Sequence, residues 1–490
     1  MSQDNKTSSV DAYIIANATK WSFITEISAK IVVPLTNMIL ARILVPEVFG
    51  IIATITMVVS FTDMFTTVGF QKYLVQHEYE SKDALFKGTS VAFWTNLALS
   101  LFLWISITIF KDPIASFVGN QGHGIAIAVA CFSLPLTSFS SIQEALYRRN
   151  FNYKVLFYNR VISILLPLVI TIPLALLGLG YWALIIGTIS GNFAKAINLT
   201  IRSEWKPNLF YSFKLLKEML SFSIWTLFES LALWASSWID IFIISNSLGL
   251  YYTGLYKISQ ITVTGIIGII TGATTTVLFS SLSRAQNDNE GFLKIFAVFQ
   301  KNVSMFVLPM GVGIFVFSDL IIRILLGSQW TEASKFIGIW GLCTSLVAVY
   351  GTFSREAYRA KGMPKLSLVA QMLHLAFVVP VCYYSVRQGF DFLIYARSFA
   401  YLQIILVHFV FMKIFIKISP FKMLKFTLGP AICSILMGAL AMFLKQYSNN
   451  YITDFILIGV CALFYFACLF VIPSYRATFK QIINKTLLHR

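Results

Sequence analysis

Apolar runs of about 20 residues follow one another along almost the whole of this chain. A run of that length lets an α-helix cross the hydrocarbon core of a bilayer, where backbone groups must find their hydrogen bonds within helices or closed barrels. Fourteen runs can be marked off, and together they predict an all-α integral membrane protein with about fourteen transmembrane helices. The runs cover residues 21–43, 49–70, 89–110, 123–145, 160–178, 180–200, 219–246, 250–281, 300–322, 334–355, 366–386, 391–412, 423–444 and 453–473.

The composition agrees with a surface that faces lipid. Charged residues make up 12% of the chain and the mean hydropathy is +0.75, whereas soluble proteins carry about 25% charged residues. The net charge of +17 would suggest a nucleic-acid partner in a soluble protein. Here the basic residues lie in the short breaks between apolar runs, so we expect no nucleic-acid partner.

The distribution of Lys and Arg predicts the orientation. With the amino terminus in the cytoplasm, 28 of the 38 basic residues fall in cytoplasmic segments and 6 in outer ones. This alternation follows the positive-inside rule and places both termini in the cytoplasm. The polar first 20 residues predict no cleavable signal peptide, so we expect a multi-pass protein of the bacterial inner membrane.

The short connections and the positions of the cysteines limit the chemistry that this chain can carry out. No connection is long enough for a catalytic domain, and no DxD-like acidic motif occurs, so we expect that the protein is not an enzyme. All six cysteines lie within apolar runs and none forms a CxxC pair. We therefore expect no disulfide framework, no metal site and no cofactor.

A weak internal repeat divides the chain. Residues 21–50 align with 225–254 at an offset of 204, which places Trp21 on Trp225 and Gly50 on Gly254. The offset spans six predicted helices, as in transporters built from parallel repeats. The predicted domains are a cytoplasmic segment 1–20, six-helix bundles 21–217 and 218–418, two extra helices within 419–473, and a cytoplasmic tail 474–490.

Several stretches resemble one family of membrane proteins. KWSFITEISAKIVVPLTNMILARILVPEVFG (20–50) and FTDMFTTVGFQKYLVQ (61–76) are similar to the opening of Wzx-type polysaccharide exporters, which include the colanic-acid exporters. WIDIFIISNSLGLYYTGLYKIS (238–259), LLGSQWTEA (325–333) and YRAKGMPKLS (358–367) fit the same pattern in the same order. These exporters belong to the multidrug/oligosaccharidyl-lipid/polysaccharide superfamily.

The resemblance implies both a fold and a function. It implies two six-helix bundles around a central cavity, flanked by two extra helices. It also implies alternating-access export of undecaprenyl-pyrophosphate-linked oligosaccharide across the bacterial inner membrane, for surface polysaccharide biosynthesis. The partners would then be this lipid-linked glycan, membrane lipid, and the polysaccharide polymerase and glycosyltransferases.

The first predicted span carries a polar stripe. Ser22, Glu26, Lys30 and Asn37 share one helical face, and Glu26 precedes Lys30 by the four residues that favour an ion pair. A charge at the centre of a span costs about 2.5–3.5 kcal/mol and needs a partner or a wet cavity. Two interpretations stay open, namely a neutralised pair packed between helices and a pair that lines an aqueous cleft.

Acidic residues occur in two later spans. The seventh predicted span carries Glu229 and Asp240 on one face without a basic residue of its own, so each acid needs a cation from elsewhere. The second span carries Asp63 among hydroxyl residues at helical spacing. We take Glu26, Asp63, Glu229 and Asp240 as candidates for coupling transport to H⁺ or Na⁺.

Basic residues in two further spans are candidates for the pyrophosphate. Lys257 and Arg397 either extend outward to the membrane surface or face the cleft, where they would attract an anion. With Lys30, Asn37 and Gln260 they form the predicted substrate-binding set. Lys195 lies near the inner face and is expected to extend to it, and His374 is either a proton carrier or a hydrogen-bonded core residue.

Three other functions compete with export of a lipid-linked glycan. A cation-coupled drug or metabolite antiporter of the same superfamily would share the bundles. A membrane glycosyltransferase or polymerase would need the outer domain and acidic motif that the sequence lacks. A scaffold for a polysaccharide-synthesis complex would not need charges within its spans.

Overall fold

The computed structural model describes residues 21, 24–25, 32–448, 450–473 and 475–476, and gives the backbone alone for 67–69, 221–226, 228–229 and 273. Every regular element in this part of the chain is helical. The chain divides into two compact units, Met1–Lys257 and Ile258–Arg490. Whether a domain boundary lies near 217, as predicted, remains a prediction.

The first unit is built from nine complete helices and the start of a tenth, among the residues described. They are α1 (Val32–Ile43), α2 (Pro46–Gln76), α3 (Lys82–Ile109), α4 (Lys111–Phe117), α5 (Gly124–Cys131), α6 (Ser133–Arg149), α7 (Tyr153–Leu176), α8 (Tyr181–Arg202), α9 (Phe213–Leu248) and α10 (Leu250–Arg284).

The second unit contains the rest of α10 and eight further α-helices within its described part. They are α11 (Asn289–Val316), α12 (Ser318–Leu325), α13 (Ser334–Val347), α14 (Phe353–Ala360), α15 (Lys365–Ser385), α16 (Phe390–Phe411), α17 (Pro420–Lys445) and α18 (Tyr451–Val471). Two short π-helices, Ala348–Thr352 and Met412–Ile416, continue α13 and α16.

The helices confirm the predicted fold class. Thirteen stretches of the described chain are helical, long and apolar enough to cross a membrane. The first predicted span, 21–43, lies partly outside the described residues, and its described part is the shorter apolar helix α1. The protein is therefore a multi-pass membrane protein. The agreement arises because hydropathy over some 20 residues decides whether a helix is stable in lipid.

Two glycines allow α2 and α10 to touch backbone to backbone within the first unit. A Cβ added to Gly50 would lie 1.9 Å from the carbonyl oxygen of Leu250, and one added to Gly254 would lie 1.9 Å from that of Pro46. The repeat offset of 204 maps Pro46 onto Leu250 and Gly50 onto Gly254. The contact is thus reciprocal, because the glycine of each helix lies against the backbone of the other.

A second glycine pair brings α7 and α8 together. A Cβ on Gly187 would lie 1.9 Å from the Thr171 hydroxyl, and one on Gly191 would lie 2.6 Å from Pro167 Cγ. The GxxxG spacing of these glycines indicates close helix packing, and the structure confirms it.

In the second unit α11 is the central helix, and α13 and α17 pack against it. α18 packs against α17, and Tyr465 on α18 donates a hydrogen bond of 2.8 Å to the carbonyl oxygen of Met305 on α11. The last two helices therefore belong to the hydrophobic core of this unit, in which Met305, Met437 and Tyr465 are buried.

Candidate functional site

Asp63 on α2 accepts hydrogen bonds from two hydroxyl groups. The Thr137 hydroxyl on α6 lies 2.9 Å from Asp63 Oδ1, and the Thr66 hydroxyl lies 3.3 Å from the same atom. Asp63 also interacts electrostatically with Lys195 and Glu144. Asp63 and Thr137 come together because α6 packs against α2. The result is a half-buried carboxylate surrounded by oxygen atoms, the ligand type that suits a proton or a hard cation.

An ion pair that the sequence analysis missed lies close to Asp63. Lys195 Nζ on α8 is 2.6 Å from Glu144 Oε1 on α6, and these side chains are 23% and 16% exposed. Arg148 approaches the same carboxylate at 3.7 Å. The ammonium of Lys195 thus has an acidic partner on the neighbouring helix, and its extension to the inner membrane surface stays a prediction. The sequence signal that could have identified Glu144 is its position as an acidic residue near the end of a predicted span.

Asp240 and Lys257 belong to a second polar cluster of the first unit. Asp240 on α9 is 2% exposed and accepts a 2.6 Å hydrogen bond from the Tyr256 hydroxyl on α10. Lys257 Nζ lies 4.1 Å from the ring centroid of Trp238, and its charge interacts with that of Asp240. The acid predicted to need a cation from elsewhere thus finds one on the next helix. A Trp face and a carboxylate together stabilise a half-buried ammonium.

Arg397 lies in an aromatic stack of the second unit. Trp340 on α13 and Tyr401 on α16 stack at 4.8 Å between ring centroids, and the Arg397 guanidinium carbon lies 5.0 Å from Trp340 and 5.6 Å from Tyr401. The residue is 5% exposed. The structure therefore contradicts the alternative in which Arg397 extends to the membrane surface.

Two histidines in the second unit have polar partners within the helices. His374 Nδ1 is 3.1 Å from Gln403 Oε1. His408, which is 1% exposed, lies 3.1 Å from the Tyr358 hydroxyl through its Nδ1, just before the π-helix Met412–Ile416. The sequence analysis missed His408, and a histidine within an apolar run was its only signal.

The structure says less about the other predicted site residues. Glu26 and Lys30 lie outside the described residues, and for Glu229 the structure describes the backbone alone, on α9. Asn37 is half-buried on α1, and Gln260 is half-buried on α10, one helical turn after Lys257. Within the described chain, the predicted substrate and coupling residues brought together are Asp240 and Lys257.

An apolar cavity of about 390 Å³ lies within the second unit. Its walls come from α11, α17 and α18, with Pro309, Met437 and Phe466 among the lining residues. Such a cavity can hold hydrocarbon but offers no group that would bind a charged headgroup.

The clusters have one property in common. Within the described part of the spans, Asp63, Lys195, Asp240, Lys257 and Arg397 each lie against a carboxylate, an aromatic ring or a hydroxyl. Such neighbours offset part of the cost of holding charge in a membrane. Pairs of this kind can exchange a protein partner for a proton, a cation or an anionic ligand.

Comparison with known proteins places the chain in a family. Residues 39–335, more than half of the chain, match the family described as "Polysaccharide biosynthesis protein". The protein belongs to this family. This match, together with the relatives named below, confirms the resemblance to Wzx-type exporters.

Two curated relatives carry names from polysaccharide biosynthesis, and one of these names includes transport. This member of the polysaccharide biosynthesis family is 25% identical over 347 residues to the succinoglycan biosynthesis transport protein ExoT of Rhizobium meliloti, covering 71% of this chain and 69% of that protein. It is 21% identical over 323 residues to the lipopolysaccharide biosynthesis protein WzxC of Escherichia coli, covering 64% and 63%.

Solved structures agree on the fold. The lipid II flippase MurJ in an inward closed conformation superposes with a TM-score of 0.75 at 17% identity, over 95% of this chain and 99% of that one. An inward-facing multidrug resistance transporter of the MATE family gives a TM-score of 0.61 at 15% identity, over 81% and 98%. At these identities the likeness concerns the fold alone.

Proposed function

We propose that this protein is a flippase that moves undecaprenyl-pyrophosphate-linked oligosaccharide from the cytoplasmic to the periplasmic leaflet of a bacterial inner membrane. The observation that carries the proposal is the family match over residues 39–335, in a chain whose spans hold paired charges. The names of ExoT and WzxC support the polysaccharide class, and the lipid II flippase MurJ shares this fold.

The apolar and polar parts of the proposed substrate suit different parts of the protein. A polyisoprenoid chain is stable in lipid and suits the apolar cavity between α11, α17 and α18. The pyrophosphate and the glycan cannot cross hydrocarbon unaided, so the protein must supply a wet path with cations along it. Lys30, Lys257 and Arg397 are the cations of this proposal, with Asn37 and Gln260 as hydrogen-bonding groups for the headgroup.

The contacts of Lys257 suggest how binding and release alternate. In the structure the ammonium of Lys257 interacts with Asp240 and with the face of Trp238. An arriving pyrophosphate competes with Asp240 for this ammonium. Uptake of a proton by Asp240 would free Lys257 for the anion, and loss of that proton would displace the anion.

Coupling to an ion gradient is part of the same proposal. Asp63 offers a carboxylate with two hydroxyl neighbours, which suits H⁺ or Na⁺. Glu26 and Glu229 are the other candidates. No group of three His, Cys, Asp or Glu side chains in the described chain is arranged to hold a metal ion.

The membrane and the partners follow from the substrate. The proposal places both termini in the cytoplasm, where glycosyltransferases would supply the substrate, and a polysaccharide polymerase on the periplasmic side. The protein itself carries out transport and no covalent step.

A reconstituted assay tests the proposed function. Purified protein in liposomes should equilibrate a fluorescent undecaprenyl-pyrophosphate oligosaccharide between leaflets, so that a membrane-impermeant quencher removes nearly all the fluorescence. Protein-free liposomes should lose about half. If the protein-containing liposomes also lose half, in the presence of either an H⁺ or a Na⁺ gradient, the flippase proposal is wrong.

A cation-coupled drug or metabolite antiporter is the second candidate. The observation in its favour is the fold shared with a MATE-family transporter, at a TM-score of 0.61. The same liposomes decide between the two, because an antiporter would move a soluble organic cation against an ion gradient and leave the lipid-linked glycan in place.

A further inference from the structure

A pocket of about 510 Å³ opens at one end of the first unit, and none of the charged residues of the clusters described above is among its lining residues. Three chain segments meet there: the connection from α2 to α3, the connection from α6 to α7, and the chain that follows α8. The charge asymmetry predicts all three to be cytoplasmic. The pocket thus lies where the ends of these helices meet the predicted inner surface of the membrane.

The pocket is basic. Its lining includes Lys82, Arg149 and Arg202 against one acid, Glu204. Lys82 and Glu204 form an exposed ion pair at 2.7 Å. Arg149 lies over the Tyr79 ring and donates to the carbonyl oxygen of Leu74 at 2.9 Å, which fixes its guanidinium at the rim. Arg202 forms no ion pair with any residue that the structure describes.

Two buried hydroxyl groups and the first turns of two helices border the pocket. The hydroxyl groups of Tyr79 and Tyr147 are buried in the wall without a hydrogen-bond partner in the described structure. Burial raises the pKa of the Tyr79 hydroxyl above its usual value, so this group keeps its proton as a donor. The first turns of α3 and α7 also border the pocket and carry partial positive charge.

The remaining wall is apolar. Leu85, Phe86, Leu146 and Val155 line the pocket together with Trp205, whose indole N–H donates to the Phe86 carbonyl oxygen at 3.2 Å. A phosphate group alone would not need such a wall. A phosphate that carries an acyl or isoprenoid chain would use both the basic rim and the apolar side.

We propose that this pocket binds a phosphate-bearing group, and that the headgroup of an anionic membrane lipid is its occupant. The site is separate from Lys257, Asp240 and Arg397, and it does not depend on what the protein transports.

Calorimetric titration of the full-length protein in a neutral detergent tests the proposal. The lipid probe is dihexanoyl phosphatidic acid, and the probe for a free anion is inorganic pyrophosphate. We expect one saturable site for the lipid. The double variant Lys82→Gln/Arg202→Gln should weaken binding about tenfold or more, because two charge-assisted contacts are lost.

The chain supplies a matched control. Lys294 forms an exposed ion pair with Glu290, and Arg284 lies in the last turn of α10 as Arg202 does in α8. Lys294→Gln/Arg284→Gln removes the same charge outside the pocket and should leave the dissociation constant unchanged. An equal loss of binding in both double variants would reduce the effect to net charge and overturn the proposal.

Two further variants have effects of opposite sign. Glu204→Gln removes the one acid among the described lining residues and releases Lys82, so binding should become several-fold tighter. Tyr79→Phe/Tyr147→Phe should weaken binding several-fold without lowering the thermal midpoint, because neither hydroxyl has a hydrogen-bond partner in the described structure.

The two probes separate the sources of the phosphate. Binding of phosphatidic acid without pyrophosphate binding supports a lipid occupant. Equal binding of both, with the same response to the variants, supports the phosphate site and assigns it to soluble anions. Absence of saturable binding of either probe to the parent protein overturns the proposal.

Discussion

At the scale of single residues, the charge of Lys257 matters more than its shape if it binds the pyrophosphate. Lys257→Arg should keep partial export, whereas Lys257→Gln should abolish or sharply reduce it, and the same contrast is expected at Lys30. Export is measured with the liposome assay or as surface polysaccharide at normal expression. Lys294→Gln, an exposed change on α11, serves as the control. Full export by both Gln variants would make these lysines structural.

Asp63 is expected to act through protonation or cation binding. Asp63→Asn keeps the size of the side chain and its hydrogen bond with Thr137 but removes the charge. We expect export that no longer responds to the H⁺ or Na⁺ gradient that drives the parent protein. Thr137→Val removes a hydroxyl ligand and should weaken the ion dependence less. An unchanged response of Asp63→Asn would exclude this acid from coupling.

The pair of Glu144 and Lys195 is expected to stabilise the first unit. Lys195→Gln leaves a mostly buried carboxylate with Arg148 alone, at 3.7 Å, and should lower the stability by up to about 3 kcal/mol. The double variant Glu144→Gln/Lys195→Gln should recover most of this loss, because no uncompensated charge remains. Thermal unfolding in detergent measures the stability of the single and the double variant. A double variant that is no more stable than Lys195→Gln would contradict the pairing.

At the scale of helices, the crossing of α2 and α10 has no room for a side chain. Gly254→Ala places a methyl group where the Pro46 carbonyl oxygen lies, so we expect a destabilisation of about 1–3 kcal/mol or more. Gly268→Ala on the same helix is the matched control, since nothing lies within 4 Å of its Cβ position, and it should be neutral. Equal thermal midpoints for the two variants would show that the helices separate readily at Gly254.

At the scale of the whole molecule, the predicted topology can be read from reporter fusions. Fusions after Lys111, Arg387 and Lys445 should report the periplasm, and a fusion after Arg490 should report the cytoplasm. The reason is the excess of basic residues on one side of the spans. A periplasmic report from Arg490 would refute an even number of spans.

The sequence by itself determined the solvent and the secondary structure of this protein. Whether 20 residues are stable as a helix in lipid depends on those residues and the bilayer, so hydropathy predicted the spans almost without tertiary information. The GxxxG spacing of Gly187 and Gly191 likewise indicates close helix packing without tertiary information.

Only the tertiary structure decided which charges are neighbours. Lys195 and Glu144 lie on different helices 51 positions apart, and the Trp face beside Lys257 belongs to α9. A helical face can be read from spacing, but its partner depends on which helices pack together and at what rotation. Arg397 shows the consequence, because the aromatic rings of Trp340 and Tyr401, one of them on another helix, make burial more favourable than extension to the surface.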